Sequence, residues 1–176
     1  MKKFIFALMA ATALMAVSCD KNDEDETTPA TNTPTETSLV GRWDAPRFPD
    51  TPEDIAFVAI FGAQDLDLYV IAWGQHMKGT YTWSNNVVKY NITEAYNAYT
   101  DVSYDEDGNM TNWSWNAGNL DAATLTLSSG YDWYPMTEDN LTQAKEDFGE
   151  FEFIVNGNTA TSSLVGIENL TFNKVK

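Results

Sequence analysis

Residues 68–92, LYVIAWGQHMKGTYTWSNNVVKYNI, constrain this chain more than any other stretch. Tyr69, Ile71 and Trp73 alternate with Val70 and Ala72, the rhythm resumes through Thr80-Tyr81-Thr82-Trp83, and it returns at Val88-Lys89-Tyr90-Asn91-Ile92. Side chains point to opposite faces along a strand, so a period of two marks β-structure with one face better buried than the other. Gly74 and Ser84-Asn85-Asn86 interrupt the pattern where a chain must turn. The stretch therefore predicts three consecutive antiparallel strands, with Tyr69, Ile71 and Trp73 expected inward because the opposite face offers only Val70 and Ala72.

The flanks extend this reading. Leu39-Val40-Gly41-Arg42-Trp43 predicts a first strand, followed by a proline-punctuated loop over residues 46–52 and a buried apolar strand over residues 55–61. Asp105-Glu106-Asp107-Gly108-Asn109 is a turn signal, with a returning strand over residues 110–116 that places Trp113 and Trp115 on one face. Residues 122–128 alternate as a further strand. Residues 137–148 read as a helix: Thr137 can cap it, early acids suit its positive end, and Leu141, Ala144 and Phe148 share a face. Strands follow over residues 150–155, through Asn156-Gly157 as a type I′ turn into 159–165, and over 169–175. About nine or ten short strands, one short helix and frequent turns define an all-β barrel or sandwich, and closure into a barrel removes exposed edges.

The N-terminal region differs in composition. Lys2 and Lys3 precede an uncharged, largely apolar run, and small residues lead to Cys19, the single cysteine of the chain. This is the pattern of a secretory signal over residues 1–18, too short to span a bilayer. Leu14-Met15-Ala16-Val17-Ser18-Cys19 resembles the processing site of a bacterial lipoprotein. The resemblance implies lipidation of Cys19 with palmitate-type acyl chains, enough of them for stable anchoring to the outer membrane. Residues 19–38, rich in Thr and acids and without large apolar side chains, predict a disordered linker. Their opening, Asp20-Lys21-Asn22-Asp23-Glu24-Asp25-Glu26, resembles the acidic export tag of cell-surface lipoproteins of the Bacteroidetes group; a plain solvated linker explains it equally well. The folded domain is expected over residues 39–176.

Acids outnumber bases 26 to 10, for a net charge of −16, which repels phosphate backbones and argues against nucleic acid as a partner.

Leu39-Val40-Gly41-Arg42-Trp43 resembles the Gly-x-Trp opening of lipocalin-like barrels. Gly79-Thr80-Tyr81-Thr82-Trp83, followed by Asn85-Asn86-Val87-Val88-Lys89-Tyr90, is similar to a segment of small bacterial lipocalin-like lipoproteins, whose last strand carries a Leu-x-Phe pattern, as Leu170-Thr171-Phe172 does here. The middle of the domain and residues 137–148 fall outside the resemblance. It implies an up-and-down antiparallel barrel in which a basic residue of the last strand lies across Trp43, with Lys174 the candidate there and Arg42 the neighbouring alternative.

Residues for chemistry are sparse. His76 is the one histidine, no Gly-x-Ser-x-Gly segment accompanies it, and a zinc site would lack ligands. Asp105, Asp107 and Asn109 depart from a calcium-loop spacing and read better as a hairpin turn. No enzyme activity, cofactor or metal is expected. The aromatics carry the information: six tryptophans (Trp43, Trp73, Trp83, Trp113, Trp115, Trp133) and eight tyrosines. In an eight-stranded barrel they would either fill the core or line a small site. Binding of a small, partly apolar molecule by Tyr69, Ile71, Trp73, Tyr81, Trp83 and Tyr90 is the first expectation. A glycan platform on Trp113 and Trp115 is the second, and a filled barrel serving as a structural or protein-interaction subunit is the third.

Overall fold

The computed structural model describes residues 39–176; the expected signal segment, Cys19 and the linker lie outside the described residues. Ten strands follow in order: β1 (Gly41–Pro46), β2 (Ile55–Phe61), β3 (Asp65–Val70), β4 (Gln75–Ser84), β5 (Val87–Tyr104), β6 (Met110–Ser114), β7 (Asp132–Pro135), β8 (Glu150–Asn156), β9 (Thr159–Leu164) and β10 (Ile167–Lys174). One α-helix, α1 (Glu138–Phe148), stands between β7 and β8. Eight strands close an antiparallel barrel in the order β4-β3-β2-β1-β10-β9-β8-β5, with β5 returning to β4. β5 runs on for 18 residues, and its far half pairs with β6 and β7 outside the ring.

The turn chemistry is readable in the backbone. Asn85 and Asn86 both take positive φ, 52° and 64°, the two-residue type I′ connection whose twist suits an antiparallel pair. Gly79 sits at a bulge in β4, and a side chain there would overlap the Asn91 carbonyl of β5. The β8–β9 turn falls one residue later than expected: Asn156 already pairs with Thr159, and Gly157 takes the positive φ of 65° while Asn158 does not. Thr137 caps α1 by accepting from the Asn140 amide, as its position predicts.

Two expectations are corrected. Residues 122–128 form no strand. Asp121 Oδ1 accepts from the amides of Ala123 and Thr124, Leu125 takes φ 56°, and a single Leu120–Leu127 bridge is all the pairing they make. The alternating leucines instead pack on the barrel's outer wall, against the cluster of Val58, Ile71 and Leu120. Arg42 holds this loop down: it forks onto Asp44 at 2.7 and 2.9 Å and donates to the carbonyls of Ala122 and Ala123.

The second correction concerns the face of β3. Leu66, Leu68 and Val70 point into the barrel, so Tyr69 points out, and the strand ends at Val70. Residues Ile71–Trp73 form a 3-10 turn closed by Gly74 at φ 57°. Tyr69 stacks on His76 of β4 at 3.9 Å, Ile71 joins the outer cluster, and Trp73 is exposed. The expected inward trio therefore lies outside the interior. Chain bulk misled here: a leucine on the true inner face outranks a tyrosine, whose hydroxyl prefers solvent.

Candidate functional site

The barrel interior is built from rings. Trp43, Phe61, Phe153 and Phe172 are fully buried. Trp43 meets Phe153 edge-on at 5.5 Å, Phe61 meets Tyr81 at 5.0 Å, and Phe153 meets Phe61 and Phe172 at 5.2 Å each. Tyr81, Trp83 and Tyr90, expected as pocket walls, are buried members of this core. Each uses its polar tip on a backbone carbonyl: Tyr81 on Gly62, Trp83 on Phe153 and Tyr90 on Leu66. Buried Tyr and Trp require such partners, and these leave little polar function for a guest. Ala144 and Phe148 of α1 join the same core, so the helix packs into the barrel and covers that part of it.

A concavity flanks this helix, lined in part by the same Ala144 and Phe148. It is an open cleft of about 520 Å³ between α1 and the overhanging half of β5 with β6. Its aromatic side comprises Trp73, Tyr99, Trp113 and Trp115. Trp73, Trp113 and Trp115 are 46, 50 and 45 % exposed, unusual for indoles outside a contact surface. Trp113 of β6 and Trp115 just beyond its end both line the cleft, and Trp113 approaches Tyr99 of β5 at 6.0 Å. Trp115 is fixed across 42 positions of chain by donating its indole N–H to the Trp73 carbonyl at 2.9 Å.

The polar side was not anticipated from the sequence. Asn140, Gln143 and Asp147 of α1 line the cleft, with Gln75 and Asn97 contributed by β4 and β5. Gln143 Nε2 donates to Asp147 Oδ1 at 3.0 Å, and Gln75 Nε2 donates to Asn97 Oδ1 at 3.2 Å. Those bonds orient the amides of Gln143, Gln75 and Asn97, and Asn140 carries a further amide on the same lining. A helical-wheel reading could have found the row 140, 143, 147 beside the apolar row 141, 144, 148, because spacings of three and four share a face.

Of the expected site residues, then, Trp73, Trp113 and Trp115 are brought together; Tyr81, Trp83 and Tyr90 are core; Tyr69 and Ile71 lie on the outer wall. His76 is buried on that wall, 2.7 Å from Asp67 Oδ1 and between Tyr69, Trp133 and Tyr96. No serine, threonine or cysteine bonds it among the described residues. Burial pushes the Tyr69 hydroxyl up to about 12, with Asp67 adding to the effect and Arg42 opposing it. The Asp105 carboxylate is taken up by the backbone and side-chain amides of Asn109 and then by the Asp107 amide, which hold it below the usual carboxylate range and build a turn rather than a cation site. No group of three or more His, Cys, Asp or Glu side chains suited to a metal occurs among the described residues.

No family model, curated protein or solved structure matches this chain. The class of protein is set by the fold: an eight-stranded antiparallel barrel with an appended helix and an open aromatic cleft.

Proposed function

We propose that this protein is a lipid-tethered, non-catalytic binding module whose ligand is a glycan held in the open cleft. The observation that carries the reading is the pairing of exposed indoles with hydrogen-bond-oriented amides in one concavity. A sugar ring has an apolar C–H face that lies on an aromatic ring and a hydroxyl edge that seeks planar amide and carboxylate partners, and this cleft offers both. The lipocalin-like resemblance would put a ligand inside the barrel. The interlocked rings and paired polar tips of the interior favour the cleft instead.

The tether rests on the sequence alone. Cys19 at the end of the expected signal supports lipid anchoring at the outer membrane, with the barrel held away on the acidic linker. Incorporation of labelled palmitate that persists in C19S would overturn that part.

For the site, the detergent-solubilised full chain is titrated calorimetrically with oligosaccharides. Binding to at least one glycan is expected, weakened about three- to tenfold by W113A, the loss of one aromatic contact, and at least as much by W115A, which also loses the bond to Trp73. Glycan binding indifferent to both substitutions, or no binding across a broad glycan panel, would overturn the reading.

A further inference from the structure

We infer that the glycan taken by this cleft is uncharged, and that acidic glycans bearing carboxylates are rejected, with Asp147 the residue that sets the preference. The inference rests on the glycan reading above and deepens it.

Among the residues lining the cleft, Asp147 is the one ionisable side chain charged at neutral pH, and no Lys, Arg or His joins it. None of the bases among the described residues lines the cleft, Lys176 at the chain end included, and five of them are engaged elsewhere. Arg42 forks onto Asp44, Arg47 lies 3.5 Å from Asp54, and Lys89 lies 3.7 Å from Glu150. Lys78 sits over the Tyr96 ring and Lys174 over Trp43. Lys145 of α1 falls outside the row formed by Asn140, Gln143 and Asp147.

Three physical effects then act in one direction. A carboxylate brought into the cleft meets Asp147 with no basic partner, well inside the roughly 10 Å over which charges act at 0.1 M salt. It loses solvation without a charge-assisted bond in return. The faces of the indoles are the negative part of their quadrupole, so they favour C–H groups or cations over anions. A neutral sugar avoids all three costs, and its hydroxyls can donate to the Asp147 oxygen not bonded by Gln143, which a ligand carboxylate cannot do. The net charge of −16 extends the same repulsion beyond the cleft.

The test compares matched pairs on the full chain at low salt: gluco-, manno- and galacto-oligomers against glucuronate, mannuronate and galacturonate oligomers of equal length. At least one neutral oligomer is expected to bind, with its uronate counterpart at least about tenfold weaker. The gap is expected to narrow at high salt and in D147N, a substitution that keeps the shape and an acceptor oxygen. A uronate that binds as tightly as its neutral partner, or a gap unmoved in D147N, would overturn the inference while leaving glycan binding intact. Failure of every oligomer, neutral and acidic, would instead overturn the glycan reading on which it rests.

Discussion

Lys174 Nζ lies 5.1 Å from the centre of the Trp43 ring, on the residue paired with Trp43 across β1 and β10. Trp43 is fully buried and donates its indole N–H to the Leu39 carbonyl at 2.7 Å, so the ammonium covers a fixed ring of the first strand from the neighbouring last strand. Arg42 does not compete for this place, since it is spent on Asp44 and the outer loop.

A cation over an indole contributes about 0.5–1 kcal/mol where solvent reaches it. K174M is expected to lower stability by that amount in chemical denaturation, and K174R to hold or exceed the native value because a guanidinium stacks flat. W43A removes a fully buried ring and its hydrogen bond, and a loss of about 3–5 kcal/mol is expected. Equal stability of K174M and the native chain would remove the cation–ring contact from the account.

Arg42 connects the barrel to a loop 80 positions away, through the Ala122 and Ala123 carbonyls. R42A is expected to free residues 117–131 before it unfolds the barrel. Limited proteolysis should show faster cleavage in that segment, with the circular dichroism of the strands unchanged. R42K should behave nearly as R42A, because one ammonium cannot reproduce a fork onto Asp44 together with two carbonyl contacts.

How far these features were legible in the sequence depends on which physical rule governs each. The barrel, the Asn85-Asn86 turn, the Thr137 cap and the Lys174–Trp43 contact follow from local rules of turns and caps or from the family resemblance. The face of β3 is not legible locally, because alternation gives two faces without labelling them, and Leu66, which marks the inner one, lies just before residues 68–92. Residues 122–128 alternate like a strand, yet Asp121 and the left-handed Leu125 bend them onto the outer wall. The cleft was half visible: Trp113 and Trp115 marked it, while Trp73 was placed in the interior. Its polar side depends on where α1 docks, a tertiary fact that helical spacing alone does not supply.

Gly79 and Gly108 make opposite predictions from the same residue type. Gly79 has ordinary φ but no room, since an added methyl group meets the Asn91 carbonyl. G79A must open the β4–β5 bulge, and a cost of about 1–3 kcal/mol is expected. Gly108 has open space around it but φ 82°, so G108A should cost only the left-handed strain, about 1 kcal/mol. Denaturation midpoints of the two variants give the comparison directly; equal midpoints would contradict the close approach at Gly79.

Tyr69 and Tyr90 predict loss of stability in alkali. Burial raises both hydroxyls, with Asp67 second, and Tyr69 is pushed up to about 12. A pKa raised in the folded state gives stability that is complete below the unfolded value of about 10 and is lost as pH rises through the folded one. Unfolding monitored by tyrosinate absorbance and circular dichroism should therefore begin above pH of about 10. Y69F keeps the stack on His76 and removes one ionising group, so its stability should fall less steeply over that range. An unchanged slope in Y69F would place the effect elsewhere.

Trp115 separates ring face from ring anchoring in the cleft. Its indole N–H bonds the Trp73 carbonyl, so W115A removes a binding face and a clamp together, whereas W115F keeps a face and removes the clamp. Because the residue is half exposed, W115F should cost no more than the net value of one hydrogen bond, about 0.5–1.5 kcal/mol, in stability. If the ring face carries the binding, W115F should retain most of the affinity for a neutral oligosaccharide that W115A weakens. Amide exchange at residues 73–75 and 113–116 should rise in both variants. Should W115F lose as much affinity as W115A, the clamp that orders the end of β6 would be the determinant, and the aromatic face of Trp115 would drop out of the site.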